Sequence, residues 1–254
     1  MIKIAMSGCN GKMGQVITRL VKEKDGFEIV CGFDVTDTVN NEYPVYKDPE
    51  NCAQQVDVII DFSHPNALIK LLPFAVSRNI PIVVATTGLS HTQISALHET
   101  AEKIPVFFSA NMSLGVNLLI DLVCRAAKIL EDSFDIEIIE KHHNQKIDAP
   151  SGTALAIAES ISSSLPQTKE FVYDRHSVRK KRNKNEIGIH AVRGGTIVGE
   201  HSVIFAGNDE IIEINHKAMS KEIFAVGALR AAEFLIGKKP GMYNMKDLVN
   251  NINQ

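Results

Sequence analysis

The sequence predicts an α/β protein: a doubly wound parallel sheet, followed by a second region of α+β type. Three observations lead there. Up to about residue 112, short continuous apolar runs alternate with helical patterns. A glycine-rich turn joins the first run to the first helical pattern. Beyond residue 112 the strand-like runs lengthen and alternate in polarity. Continuous β-branched runs between helices mark a parallel sheet covered on both faces. Right-handed crossovers then wind the chain to either side of it.

In order, IKIAM (2–6) reads as a strand and KMGQVITRLVKE (12–23) as an amphipathic helix. Strands follow at 27–34, 56–62, 80–86 and 105–109, with helices at 66–78 and 90–102. LGVNLLIDLVCRAAKIL (114–130) is a long helix, FDIEIIEKH (134–142) alternates as a strand does, and 152–164 is again helical. The runs at 186–193, 196–207 and 209–218 look like an antiparallel meander. Residues 222–236 form a last helix expected to return to the first domain. The expected division is a nucleotide-binding domain of residues 1–112 plus 223–254 and a second domain of residues 113–222.

Composition sets bounds on function. The 254-residue chain is 44% hydrophobic and 22% charged, ordinary for a globular protein with a sizeable core. Its net charge of −3 gives no drive toward nucleic acid or anionic membrane. Cys9, Cys31, Cys52 and Cys124 form no C-x-x-C pair, which predicts reduced thiols in a cytoplasmic protein. No segment approaches the roughly 20 apolar residues of a membrane span, and the first residues do not read as a signal peptide. The basic stretch DRHSVRKKRNKN (174–185) carries no interleaved aromatic residues and is expected to be a solvated loop.

Two constellations carry chemistry. SGCNGKMG (7–14) follows the first strand and opens the first helix, and its Gly8, Gly11 and Gly14 are spaced one residue off the usual dinucleotide fingerprint. Small residues there let backbone N–H groups approach a pyrophosphate, and the helix N-terminus favours its charge. Asp34, twenty residues after Gly14, is placed to accept hydrogen bonds from an adenosine ribose. The loops DFSHP (61–65), ATTG (85–88) and SANMSLGVN (109–117) lie at the carboxyl ends of strands, where such sheets bind ligands. Together these predict a Rossmann-type dinucleotide domain.

The second constellation is EKHHNQKIDAPSGTA (140–154). His142 and His143 lack a carboxylate or cysteine at ligand spacing, so no metal site is expected. Ser151 lacks the G-x-S-x-G elbow of a serine nucleophile. One reading is a helix capped by Ser151 or Thr153, with two surface histidines and a solvated lysine. The other is an anion-binding and proton-delivering site. Lys146 and the free N–H groups of the helix start would hold a polycarboxylate, and a histidine would donate a proton.

This stretch resembles the signature of the dihydrodipicolinate reductase family. Further likeness lies in GxxGxMG at 8–14, ATTG at 85–88, SANMSLGVN at 109–117 and RGGTIVGEHSVIF at 193–205. The resemblance covers essentially the whole chain. It implies reduction of 4-hydroxy-tetrahydrodipicolinate to tetrahydrodipicolinate by NADH and/or NADPH in lysine and diaminopimelate biosynthesis. It implies His142 as general acid and Lys146 as a catalytic and carboxylate-binding group, with His143, Gly152 and Thr153 also holding the substrate. It implies cofactor contacts from Gly8, Gly11, Lys12, Met13, Asp34, Phe62, Ala85, Thr86, Thr87, Gly88, Ala110, Asn111 and Met112, and no metal. It also implies a homotetramer assembled through the second domain's sheets, in which two domains close around the ligands. Members that take NADPH often carry arginine just after the acidic residue. Here Val35 follows Asp34 and His64 stands where some members place arginine, so Lys12 is the group expected to reach a 2′-phosphate.

Overall fold

The computed structural model describes residues 1–36 and 39–251, so the last three residues of the expected 223–254 segment lie outside it. The chain divides into two compact units, Met1–Leu114 with Glu222–Gln254, and Gly115–Lys221.

The chain begins with β1 (Ile2–Ser7), α1 (Lys12–Glu23), β2 (Phe27–Phe33), β3 (Val45–Tyr46) and β4 (Val58–Asp61). It continues through α2 (Leu68–Ser77), β5 (Ile82–Val84), α3 (His91–Ala101) and β6 (Pro105–Phe108). The middle section holds α4 (Leu114–Leu130), β7 (Asp135–His142), α5 (Gly152–Ser164), β8 (Glu170–Val172), β9 (Glu186–Arg193), β10 (Gly199–Ala206) and β11 (Ile211–Ala218). It closes with α6 (Glu222–Leu235), β12 (Gly241–Tyr243) and α7 (Met245–Asn251).

The first unit is a seven-stranded, all-parallel sheet in the order β3-β2-β1-β4-β5-β6-β12. Val58, Ile59 and Ile60 of β4 are fully buried on both faces, which explains the unbroken apolar run in the sequence. Ile17 and Val21 of α1 and the alanine-rich face of α6 cover one side. Leu68, Leu71, Leu72, Phe74 and Ala75 of α2 and Leu97 of α3 cover the other. The winding reverses between β1 and β4, and the carboxyl ends of these two strands border the crevice where such sheets take ligands. The short β3 and β12 carry two and three residues, too few to show a periodicity.

The second unit is a five-stranded sheet in the order β11-β10-β7-β9-β8. α4 and α5 pack on one face through Leu119, Val123 and Ala127, and through Ala154, Ile157, Ala158 and Ile161. The expected antiparallel meander is not what forms. Only β10 and β11 make an antiparallel hairpin, while β9 lies on the far side of β7 and runs parallel to it. The reason is local: residues 194–198 arch across the end of β7, two strand spacings or about 9.6 Å. Gly194 N–H donates to His142 O at 2.9 Å and Asn144 N–H to Gly195 O at 3.2 Å, fastening the arch to the strand it crosses. β10 accordingly starts at Gly199, later than the apolar run.

The basic stretch is also more than a solvated loop. Arg182 uses all five N–H donors, on Asp135, Glu137, Asn183 O, Ile136 O and Glu186 O, and so ties β7 to β9. Arg175 bridges Glu137 and Glu186, and Lys180 adds a second cation to Glu186. Those two cations hold the Glu186 carboxyl down at about 2. We expect Arg182→Ala to destabilise the protein by about 1.5–3 kcal/mol, the range for losing hydrogen bonds to charged groups. Arg182→Lys should restore only part, because an ammonium cannot reproduce the planar fork. Urea unfolding midpoints at unchanged slope will read this.

Candidate active site

In the first unit a cleft of about 810 Å³ opens at the ends of β1, β2 and β4. Gly8, Gly11, Asp34 and Phe62 line it, with Asn10, Ser63 and His64. Gly8 has a φ of +77°, and a Cβ there would stand 2.6 Å from Phe62 O, so both the turn and the close approach require glycine. Asp34 faces this turn. Its Oδ2 accepts the Asn10 N–H at 3.0 Å, and its Oδ1 accepts the N–H and hydroxyl of Thr36 at 3.0 and 2.9 Å. A second hollow of about 290 Å³ shares Phe62 and Ser63 and is lined by Ala85, Thr86, Thr87, Ala110 and Met112.

Thus the structure gathers nine of the expected cofactor contacts into two adjoining hollows. Gly88, at a φ of +75°, and Asn111 lie in the bordering loops. Lys12 and Met13 begin α1 and line neither hollow. Asp61, which opens the DFSHP loop without a role of its own there, is fully buried and accepts from Thr86 at 2.6 Å and Ser63 at 2.5 Å. Burial pushes its carboxyl up against the pull of these hydroxyls. The glycine turn, the helix start and the volume fit the pyrophosphate and adenosine parts of a dinucleotide.

In the second unit, period-two alternation places Ile136, Ile138, Glu140 and His142 on the buried face of β7. The strand begins on that face as core and ends as polar site. Glu140 has no exposed surface and receives four donors. Arg193 meets both its oxygens, at 2.7 and 2.8 Å, Ser151 N–H donates at 2.9 Å, and His142 Nδ1 lies at 2.7 Å. Burial alone would raise the Glu140 carboxyl, but Arg193, His142 and Ser151 bring it below the ordinary value. An ionised carboxylate only accepts, so Nδ1 of His142 carries the hydrogen and Nε2 is its remaining exchange point. A Cβ at Gly199 would sit 3.1 Å from that Nε2, so the glycine keeps it clear.

His201 of β10 packs edge-on to His142, with ring centroids 5.3 Å apart, and its Nε2 lies 3.0 Å from Ser151 Oγ. Ser151, not Thr153, is the cap of α5, accepting Ala154 N–H at 3.1 Å. His143 follows the end of β7 and is half-buried. Gly152 and Thr153 are the first two residues of α5. Lys146 Nζ pairs with Asp148 Oδ1 at 2.7 Å. The lysine, and further the Gly152 N–H at the helix start, hold the Asp148 carboxyl below its ordinary value. Lys146 and the start of α5 thus converge on one carboxylate of the chain itself. Among the described residues no group of three or more His, Cys, Asp or Glu is arranged to hold a metal, and no helix is long and apolar enough to cross a membrane.

The dihydrodipicolinate reductase N-terminal profile matches residues 2–112, and the C-terminal profile matches residues 115–249. The chain belongs to the dihydrodipicolinate reductase family. Among relatives, the 4-hydroxy-tetrahydrodipicolinate reductase of Caldanaerobacter subterraneus subsp. tengcongensis is 56% identical over 98% of each chain. That of Clostridium tetani is 49% identical over 99% of this chain and 98% of its own. A solved dipicolinate-bound dihydrodipicolinate reductase from Paenisporosarcina sp. TG-14 superposes with a TM-score of 0.83 at 25% identity, covering 98% of this chain and 99% of that one.

Glu140, Arg193 and His201 stood in stretches that carried the resemblance, yet nothing local in the sequence assigned them a role. Their partners lie 53 and 50 residues away.

The buried His201 gives a pH test. Burial, and then the nearby His142, push its pKa down from 6.5 to about 4. Between those values the unfolded chain binds more protons than the folded one, so stability falls as pH drops from 6.5 to 4. The amide of His201→Gln can still meet Ser151 and does not titrate. We expect the variant to show a flatter fall of urea midpoint over that interval, and a slope equal to wild type would assign the loss elsewhere.

Proposed function

We propose that this protein reduces 4-hydroxy-tetrahydrodipicolinate to tetrahydrodipicolinate, with a nicotinamide dinucleotide as hydride donor, in the route to diaminopimelate and lysine. The observation that carries this reading is the convergence of Lys146 and the α5 N-terminus on a carboxylate, in the same unit as the Glu140–His142 pair. Membership of the family supplies the identity of the substrate.

The residues divide the work. The backbone of Gly8, Asn10 and Gly11 would cradle the pyrophosphate, and Asp34 would accept from the adenosine ribose. Thr86, Thr87, Ala110 and Met112 would border the nicotinamide end of the same ligand. When bound, the dihydronicotinamide supplies the hydride, and the protein supplies position and proton. Lys146, His143 and the N–H groups of Gly152 and Thr153 would neutralise the substrate carboxylates, with Asp148 giving up its hold on Lys146. The substrate's 4-hydroxyl would leave as water to give the conjugated imine, and His142 would deliver a proton from Nε2 to the carbon next to the one that receives hydride. Glu140 keeps the ring in the required tautomer and orientation while Arg193 keeps Glu140 ionised.

His142→Gln and Lys146→Ala are each expected to lower kcat while leaving NADH affinity within about twofold. Loss of a positioned general acid costs roughly 10²–10⁴-fold. Steady-state kinetics in a coupled assay with freshly generated substrate, beside NADH fluorescence titration, separate the two quantities. A His142→Gln enzyme with wild-type kcat would remove the proton-donor assignment.

We also propose a homotetramer formed through the second unit's sheet. Val192 of β9 and Ile211 and Ile212 of β11 are 44%, 65% and 38% exposed, apolar surface that association would cover. Sedimentation equilibrium at micromolar concentration should give four copies, and a monomer there would overturn the assignment.

A further inference from the structure

Asp61 ends β4 with no exposed surface, at the point where the winding of the first unit's sheet reverses. Ser7 of β1 and Val84 of β5 stand beside it in register. We propose that Asp61 is a positioning residue for the nicotinamide half of the dinucleotide, acting through the hydroxyls of Ser63 and Thr86. This rests on the dinucleotide reading of the cleft and its adjoining hollow.

The contacts reach three strand ends. The Ser63 hydroxyl donates to Oδ1 at 2.5 Å and the Thr86 hydroxyl to Oδ2 at 2.6 Å, one to each carboxylate oxygen. Burial pushes the carboxyl up, and the hydroxyls of Ser63, Thr86 and Ser7 draw it back. The main chain joins the same strand ends: Phe62 N–H donates to Ser7 O at 3.0 Å, and Ala85 N–H to Asp61 O at 2.9 Å. Thr86 lines the smaller hollow, Ser7 the larger cleft, and Ser63 both. The side chain of Asp61 therefore ties the wall of one to the wall of the other. A dinucleotide that occupies both meets walls of fixed spacing.

The residue type matters. A carboxylate only accepts, so both hydroxyls can turn their hydrogens inward together. An amide in its place offers one accepting oxygen, and the second hydroxyl would have to turn round. A buried carboxyl held by hydroxyls is costly to keep, and groups perturbed in this way gather in working clefts. The glycine turn has fastenings of its own: Gly8 N–H donates to Phe33 O at 2.8 Å, and Asn10 N–H to Asp34 at 3.0 Å. Loosening Asp61 therefore acts on the nicotinamide end and spares the adenosine end. Hydride transfer needs the reacting carbons about 3–3.5 Å apart, and a displacement of about 1 Å can cost about 100-fold.

The test is fluorescence titration of NADH, competition by 5′-AMP, and single-turnover oxidation of NADH by the substrate, on wild type, Asp61→Asn, Thr86→Val and the double variant. Asp61→Asn should slow the single turnover by roughly 10- to 100-fold. It should weaken NADH by roughly three- to tenfold, as for one lost charge-assisted hydrogen bond, and change 5′-AMP by less than twofold. Thr86→Val, which removes one hydroxyl and leaves the buried carboxyl in place, should reproduce the slowing. Adding Asp61→Asn to it should cost little more, because both act through one contact. Hydride transfer at the wild-type rate in Asp61→Asn overturns the proposal. So does a 5′-AMP affinity that falls in step with that of NADH, or fully additive slowing in the double variant, since each makes Asp61 a general support of the strand ends. All three outcomes leave the dinucleotide reading in place. Failure of wild type to bind NADH removes that reading, and this inference with it.

Discussion

Glu140 is a carboxylate without exposed surface, and the second unit's site is organised around it. Leaving such a charge buried and unpaired costs several kcal/mol. The fold meets that cost with a bidentate arginine from β9, a backbone N–H from the residue that caps α5, and the ring of His142 on its own strand. Each partner is held in turn. Arg193 also donates to Asp148 O at 2.7 Å, and Ser151 Oγ caps α5 while meeting His201. One buried charge thus sets the ring orientation of His142, the start of α5 and the path of the loop between them.

The pair of Lys146 and Asp148 adds a second constraint. An intramolecular carboxylate holds the ammonium of Lys146 and competes with any carboxylate that arrives. Every carboxylate that displaces it meets the same cost, so a dianion gains over a monoanion only by its second carboxylate's own contact with the helix N-terminus. In the proposed function this favours a ring with two carboxylates over common metabolites with one.

Much of the architecture was legible because helices and strands differ in period. α1, α4 and α5 begin and end where the sequence pattern places them, since each carries an apolar stripe long enough to count. The short β3 and β12 left no such trace. The meander reading failed because alternation identifies strands but not neighbours, and a five-residue arch carries the chain over a strand as easily as a turn carries it beside one. At the site, His142, His143, Lys146 and Ser151 could be grouped because they are close in sequence. Arg193 and His201 join them only through the registers of β7 with β9 and β10. Asp61 is of the same kind: an aspartate at the end of an apolar run has no local signature of its own.

The arch over β7 has a consequence for how the protein reaches its native state. β7 is flanked by two strands that follow it in the chain by dozens of residues, and their connection passes over the end that carries His142. Neither flank can be completed by a local hairpin. The strand must wait, with its acid and histidine unsatisfied, until both neighbours arrive from afar. Assembly of this half of the molecule is therefore a high-contact-order step, slow compared with helix formation. The end that carries Glu140 and His142 is finished at the same moment as the topology, so a partly assembled sheet leaves that end incomplete.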